Sequence, residues 1–265
     1  MTVSRAGSLA ALRAERSTVL EFCTGLEPRE WAAPSAAAGW SVQDVVVHMT
    51  AGVRAVITPS AVRSMASRQI ERTNDAVVAE SGSLTPEQAL AGFEVWSARG
   101  IVGLTAATVP GIASLRLRVG ELGWHPLRIF PALYLFDWHT HLRHDIAPAL
   151  GRPAPATDAG RMSAILGWLT ALLEQSHRTQ LGWLDAPVAI TLSGPGGGTW
   201  RIEPAPRNRL RVNPGTASDS AAHIHAQALE FPVWATTRRG WRDCDVVIEG
   251  DAELGARFLD SINLV

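Results

Sequence analysis

Three side chains in this sequence have the types and spacing to hold one metal ion: His48, Asp137 and His141. Asp137 and His141 are four residues apart in the segment Phe136-Asp137-Trp138-His139-Thr140-His141-Leu142-Arg143-His144-Asp145-Ile146. On a helix that spacing puts a carboxylate and an imidazole on one face, where both can ligate a single ion. Asp145 extends the same face by a further turn. It can accept a hydrogen bond from His141, as outer carboxylates do when they orient ligand histidines. Two ligands from one helix hold an ion poorly, and His48 is the candidate third. It lies in the apolar run Val45-Val46-Val47-His48-Met49, where an imidazole needs a polar partner. Two imidazole nitrogens and one carboxylate oxygen, with a position left open, is a donor set found in catalytic zinc sites. Nickel, iron and manganese accept it as well. The plainer readings are a hydrogen-bonded core histidine and an ordinary pair on a helix surface, and spacing alone leaves them open.

The other candidates carry weaker signals. His139 falls well off the Asp137/His141 face and reads as peripheral, whereas His144, closer to that face, is a possible fourth ligand or proton carrier. His223 and His225 lie far along the chain and read as surface positions. The segment Phe231 to Arg242 sets Arg238 and Arg239 between Trp234 and Trp241. Arginine suits bidentate binding of a carboxylate, so this pair is a candidate anion clamp; the alternative is a solvated turn. Trp40, Trp124, Trp138, Trp234 and Trp241 stand beside these polar residues and are candidates to wall a dry pocket.

The elements that must position these groups are mainly helical in the first two-thirds. Leu9, Leu12, Val19 and Phe22 recur at helical spacing within residues 8–26. After a Pro/Ala loop, Ser41 with Asp44 three residues on starts a second helix, which carries His48 to about Val56. A helix is expected over residues 61–80, and another from Thr85-Pro86-Glu87 to about Leu104. Residues 109–123 read as loop. Pro126 then opens the helix of Asp137 and His141, which ends near Ala147-Pro148, and a further helix fits residues 159–181. After Trp183 the pattern changes to strands at residues 188–193, 199–202, 210–212 and 245–249, with helices expected at 218–229 and 252–260. The Gly194–Gly198 cluster sits between two strands, so it reads as a hairpin turn and not as a phosphate loop. The fold class is therefore an α-helical domain, residues 1–182, followed by a small α+β domain, residues 183–265.

Composition bounds the function. Hydrophobic residues make up 46% of the 265, enough for substantial cores, and the net charge of −1 gives no footing for nucleic acid. All 24 basic residues are arginine, most of which read as surface charge. Two cysteines, Cys23 and Cys244, without CxxC spacing fit a reducing cytoplasm. The first ten residues lack the pattern of a signal peptide, and no apolar run is long enough to span a membrane.

The stretch Gly39-Trp40-Ser41-Val42-Gln43-Asp44-Val45-Val46-Val47-His48 resembles the first ligand motif of the mycothiol-dependent maleylpyruvate isomerase family, within the DinB-like metalloenzyme superfamily. Phe136 to Ile146 resembles the second motif, and residues 194–251 look like the family's C-terminal domain, which is similar to sterol carrier proteins. The resemblance implies a four-helix DinB-like bundle with a zinc site, a sterol-carrier-like α+β domain, and mycothiol or another low-molecular-weight thiol as co-substrate. It maps His48 to the first ligand and His141 to the last. Asp137 stands where the family usually has Glu, one methylene longer. The resemblance also implies an active-site arginine, for which Arg238 and Arg239 are the nearest matches. The activity implied is isomerase or S-transferase chemistry on a small electrophilic carboxylate. A metal-dependent hydrolase on the same scaffold and a non-catalytic metal- or ligand-binding protein remain as other readings.

Overall fold

The computed structural model describes residues 4–59, 70–80, 82–175, 180–206 and 209–264. The chain divides into two compact units, one of residues 4–156 and one that begins at Thr157.

The first unit is built on helices. They are α1 (Arg5–Thr24), α2 (Pro28–Trp31), α3 (Val42–Ala55), α4 (Ile70–Glu80), α5 (Pro86–Ala107) and α6 (Phe130–Thr140). Helix α3 starts where Ser41 and Asp44 form the expected reciprocal cap. The Ser41 hydroxyl accepts from the Asp44 N–H, and the Asp44 carboxylate accepts from the Ser41 N–H at 2.9 Å. Thr85 caps α5 in the same way with Gln88. Of the helix expected over residues 61–80, only α4 lies within the described residues.

Helix α3 packs against α5 and α6, while α1 packs against the other sides of α5 and α6. Val45, Val46, Met49 and Val53 of α3, Phe93 and Leu104 of α5 and Leu135 and Trp138 of α6 are all fully buried. Gly100 is what lets α3 and α5 approach: a Cβ there would stand 2.3 Å from Val53 Cγ2 and 3.0 Å from the Val53 carbonyl.

Two details differ from expectation. Residues 109–123 are not all loop, since Arg116–Arg118 (β1) pairs antiparallel with Trp124–Pro126 (β2). Pro126 closes β2 instead of opening a helix; α6 begins at Phe130, with Pro131 in its first turn. From His141 to Ile146 the helix continues as a single π-helical turn and then meets Pro148, which cannot extend it.

The second unit is a five-stranded sheet of order β5-β4-β3-β6-β7, formed by Arg209–Pro214, Gly198–Ala205, Val188–Ser193, Ala222–Gln227 and Val247–Gly250. The β3/β6 pair is parallel and the others are antiparallel. Helix α7 (Ala159–Gln175) packs on β5, and α9 (Ala252–Asp260) packs on β6 and β7; the short α8 (Phe231–Ala235) lies between β6 and β7 in sequence. Val188, Ile190, Leu192, Ile202, Ala222 and Ile224 form the sheet's share of the core. The β3–β4 turn needs Gly196, whose φ is +71° and whose missing Cβ would stand 2.4 Å from the Ser163 nitrogen of α7.

Because α7 packs on this sheet, the division between units falls at 156/157, where the sequence alone suggests 183. The helix expected over residues 218–229 is instead β6. Ala222, Ile224 and Ala226 are buried while His223 and His225 between them are not, a period of two that the alanine content masks. Among the described residues no helix is long and apolar enough to cross a membrane. Both cysteines are free; Cys23 is buried, which pushes its thiol up to about 12.

Candidate metal centre

His48 reaches the site from the middle of α3, and Asp137 and His141 from the last turn of α6 and the start of the π turn. Asp137 Oδ1 lies 3.2 Å from His48 Nε2 and 3.5 Å from His141 Nε2. One donor atom from each of the three residues falls within 4.8 Å of the others. The two imidazole rings are 4.9 Å apart, nearly edge to face. The side chains of His48, Asp137 and His141 are 13%, 20% and 11% exposed, so solvent reaches the cluster and an incoming molecule has access to it.

Asp145 takes the role expected of it: its Oδ2 sits 2.7 Å from His141 Nδ1, on the ring nitrogen facing away from Asp137. That contact holds the ring so that Nε2 faces Asp137 and His48. Asp145→Asn is therefore expected to lower metal affinity about 10- to 100-fold while leaving the fold intact, measured by competition with a zinc-chelating dye.

Electrostatics favour a cation. Burial works against the charge on Asp137, but His48 and His141 outweigh it and hold the carboxyl far below the usual range. Burial also works against protonation of His141, yet the hydrogen bonds to Asp137 and Asp145 and their charges raise it to about 9. The buried carboxylate favours a positive charge beside it, which a divalent cation would supply. Asp137 Oδ2 is the clearest sign that a group is wanted: it is buried with no hydrogen-bond donor. A buried acceptor left so costs about 1–3 kcal/mol. The residues present fit a divalent metal, and the donor types fit zinc among others.

Three further features belong to the surroundings, of which the sequence singled out Trp40 alone, as a candidate pocket wall. The chain's one tyrosine, Tyr134, stands a turn before Asp137 and its ring lies over Gly52, one turn beyond His48. Burial and then the Asp137 charge push its phenol upward, so it stays protonated and able to donate. Trp40 stacks on His48 with ring centroids 4.9 Å apart, and its Nε1 donates to Asp75 Oδ1 at 3.1 Å. The third is buried Arg143, two residues after His141, an exception to the surface-charge reading of the arginines. It pairs with Glu15 of α1, and Nε and Nη2 donate to the Pro155 and Ala156 carbonyls at 2.9 and 3.0 Å.

No other histidine candidate joins this donor grouping among the described residues. Of the five tryptophans proposed as pocket walls, Trp40 alone stacks on it. Trp138 is fully buried against Phe93, Trp124 is half exposed on β2, Trp241 bonds Asp260 on the surface, and Trp234 is core of the second unit. His139 is buried within the first unit, and His144 belongs to neither of the donor groupings found among the described residues. Arg238 and Arg239 lie in the second unit. Arg238 Nη1 donates to Thr236 Oγ1 at 2.9 Å, while Arg239 donates to Glu230 at 2.7 Å and to Cys244 Sγ at 3.2 Å.

Comparison with known proteins places the scaffold. Two solved structures, a mycothiol-dependent maleylpyruvate isomerase and a mutant of it with one histidine replaced by alanine, each align at a TM-score of 0.58. In each case the identity is 15% and 93% of both chains is covered, which establishes a shared fold of a helical first part and a C-terminal sheet domain. No curated protein matches the chain in sequence. The family model of the mycothiol maleylpyruvate isomerase N-terminal domain matches residues 12–147, more than half of the chain and the span from within α1 through the π turn, and the chain belongs to that family.

Proposed function

We propose that this protein is a metal- and thiol-dependent enzyme that isomerises a small unsaturated carboxylate; for its structural relatives, the printed name gives dependence on mycothiol and isomerisation of maleylpyruvate. The observation that carries the reading is the convergence of His48, Asp137 and His141 around the donor-less Asp137 Oδ2. Those three residues would hold the metal, zinc in the first instance, and the ion would supply a lowered pKa for a bound thiol.

The chain's own groups do the rest. Asp145 fixes the His141 ring through Nδ1. Trp40 covers His48 and limits water on that side. Tyr134 keeps its proton at neutral pH, held there by burial and by the nearby Asp137 charge. A reversible thiol addition to a conjugated double bond, rotation and elimination make up a cis–trans isomerisation. The thiol comes from outside, since Cys23 is buried and held protonated and neither cysteine lies near a ligand motif in the sequence. We assign the binding of the substrate carboxylate to the Arg238/Arg239 pair, whose guanidinium geometry suits a bidentate contact.

The test is thiol dependence. Maleylpyruvate is incubated with zinc-loaded protein, with and without mycothiol, and the loss of the cis isomer is followed. Turnover only with the thiol present is the expected result. Equal turnover without any low-molecular-weight thiol, or none under either condition, would overturn the reading.

A further inference from the structure

The second unit carries another cluster of donor side chains, on the sheet face opposite α9, that the function above does not use. We propose that His223, His225 and Glu249 form a second site for a divalent transition-metal ion. His223 and His225 are two apart on β6, so both side chains leave the same face of the sheet. Glu249 of β7 is the cross-strand partner of His223 and shares that face. Helix α9 covers the other face, where Gly255 lies against Ile248, itself paired with Ile224. The side chains of His225 and Glu249 are 37% and 66% exposed, so ions from solution reach the rim of the cluster.

Its geometry is that of ligands already gathered. The two rings stand 3.9 Å apart at centroids, and one donor atom from each of the three residues lies within 4.8 Å of the others. His225 Nε2 is shut from solvent and 3.3 Å from Glu249 Oε2, yet makes no hydrogen bond of good geometry. A buried ring nitrogen without a directed partner is a group that an ion would satisfy. His223 Nε2 is 2.7 Å from Thr191 Oγ1, which is in turn 2.8 Å from Thr199 Oγ1. That chain fixes the His223 ring from behind, as outer partners do around ligand histidines.

Donor atoms around a zinc ion lie closer together than 4.8 Å, since each bond is about 2 Å. Glu249 is 66% exposed and can swing in to close the difference. The set of two imidazoles and a carboxylate selects late first-row ions over magnesium or calcium. Strand β7 is an edge strand, so a bound ion would tie that edge to β6.

The experiment is calorimetric titration of metal-stripped, full-length protein with Zn²⁺ alone. Wild type is expected to take up two equivalents. Glu249→Gln, an exposed and isosteric change, should lose one of them, as should His225→Asn, each with an unchanged circular dichroism spectrum. Asp137→Ala should keep the equivalent that Glu249→Gln removes, which separates this site from the first. Wild-type stoichiometry and affinity in both Glu249→Gln and His225→Asn would overturn the proposal. So would the absence of any zinc uptake by Asp137→Ala at millimolar free zinc.

Discussion

Replacing Glu15 with alanine is expected to destabilise the first unit by about 3–5 kcal/mol, the range for a buried ion pair that loses one partner. The Glu15 side chain has no exposed surface, and that of Arg143 has 5%. Both guanidinium nitrogens Nη1 and Nη2 face the Glu15 carboxylate, and Nη1 also lies 3.4 Å from the His139 carbonyl. Removing Glu15 leaves an arginine charge inside the unit with carbonyls as its remaining partners, and water cannot compensate it there. The pair joins α1 to the π turn two residues beyond His141, so the loss should also loosen the site. Urea unfolding followed by circular dichroism measures the change. A paired replacement, Glu15→Leu with Arg143→Met, is expected to recover most of the stability, because no unpaired charge then remains. A loss under 1 kcal/mol in Glu15→Ala would show that the pair contributes little.

Asp137→Ala is expected to remove the metal-dependent part of the protein's behaviour altogether. Asp137 lies within reach of both histidines, and it supplies the negative charge that a dication needs at this depth. Without it His141 also loses the partner that raises its pKa most. Zinc raises the melting temperature of any protein it binds only in the folded state, by an amount that grows with its concentration over Kd. That rise, measured on the Glu249→Gln background so that the second unit does not contribute, should be present with Asp137 and absent without it. Asp137→Glu, a carboxylate one methylene longer, should retain it. A zinc-dependent rise of wild-type size in Asp137→Ala would contradict the assignment.

Much of this was legible in the sequence because it rests on local rules. Ser41 with Asp44, and Thr85 with Pro86, mark helix starts by satisfying end groups that any helix leaves open, and both are where the residues place them. Asp137, His141 and Asp145 share a face because of helical spacing, which the π turn preserves well enough for the His141–Asp145 contact. That His48 meets them across 89 residues is not a matter of spacing; it was legible through the paired motifs of a family resemblance. What escaped is what depends on distant partners. The pairing of Arg143 with Glu15 spans 128 residues and has no local signature. Strand β6 reads as a helix until β3 and β7 flank it, because alanine and histidine carry little strand preference of their own. Tyr134 offered a signal in being the lone tyrosine, three residues before Asp137, yet only packing against Gly52 shows that it borders the cluster.

The central claim is that His48, Asp137 and His141 together hold a metal ion, and the metal content of purified, desalted protein tests it most directly. Elemental analysis would be run on Glu249→Gln protein and on the same background carrying His48→Ala or Asp137→Ala. One equivalent of metal in the first and less than a tenth of that in the other two is the predicted result. Full occupancy in either the His48→Ala or the Asp137→Ala protein would contradict it.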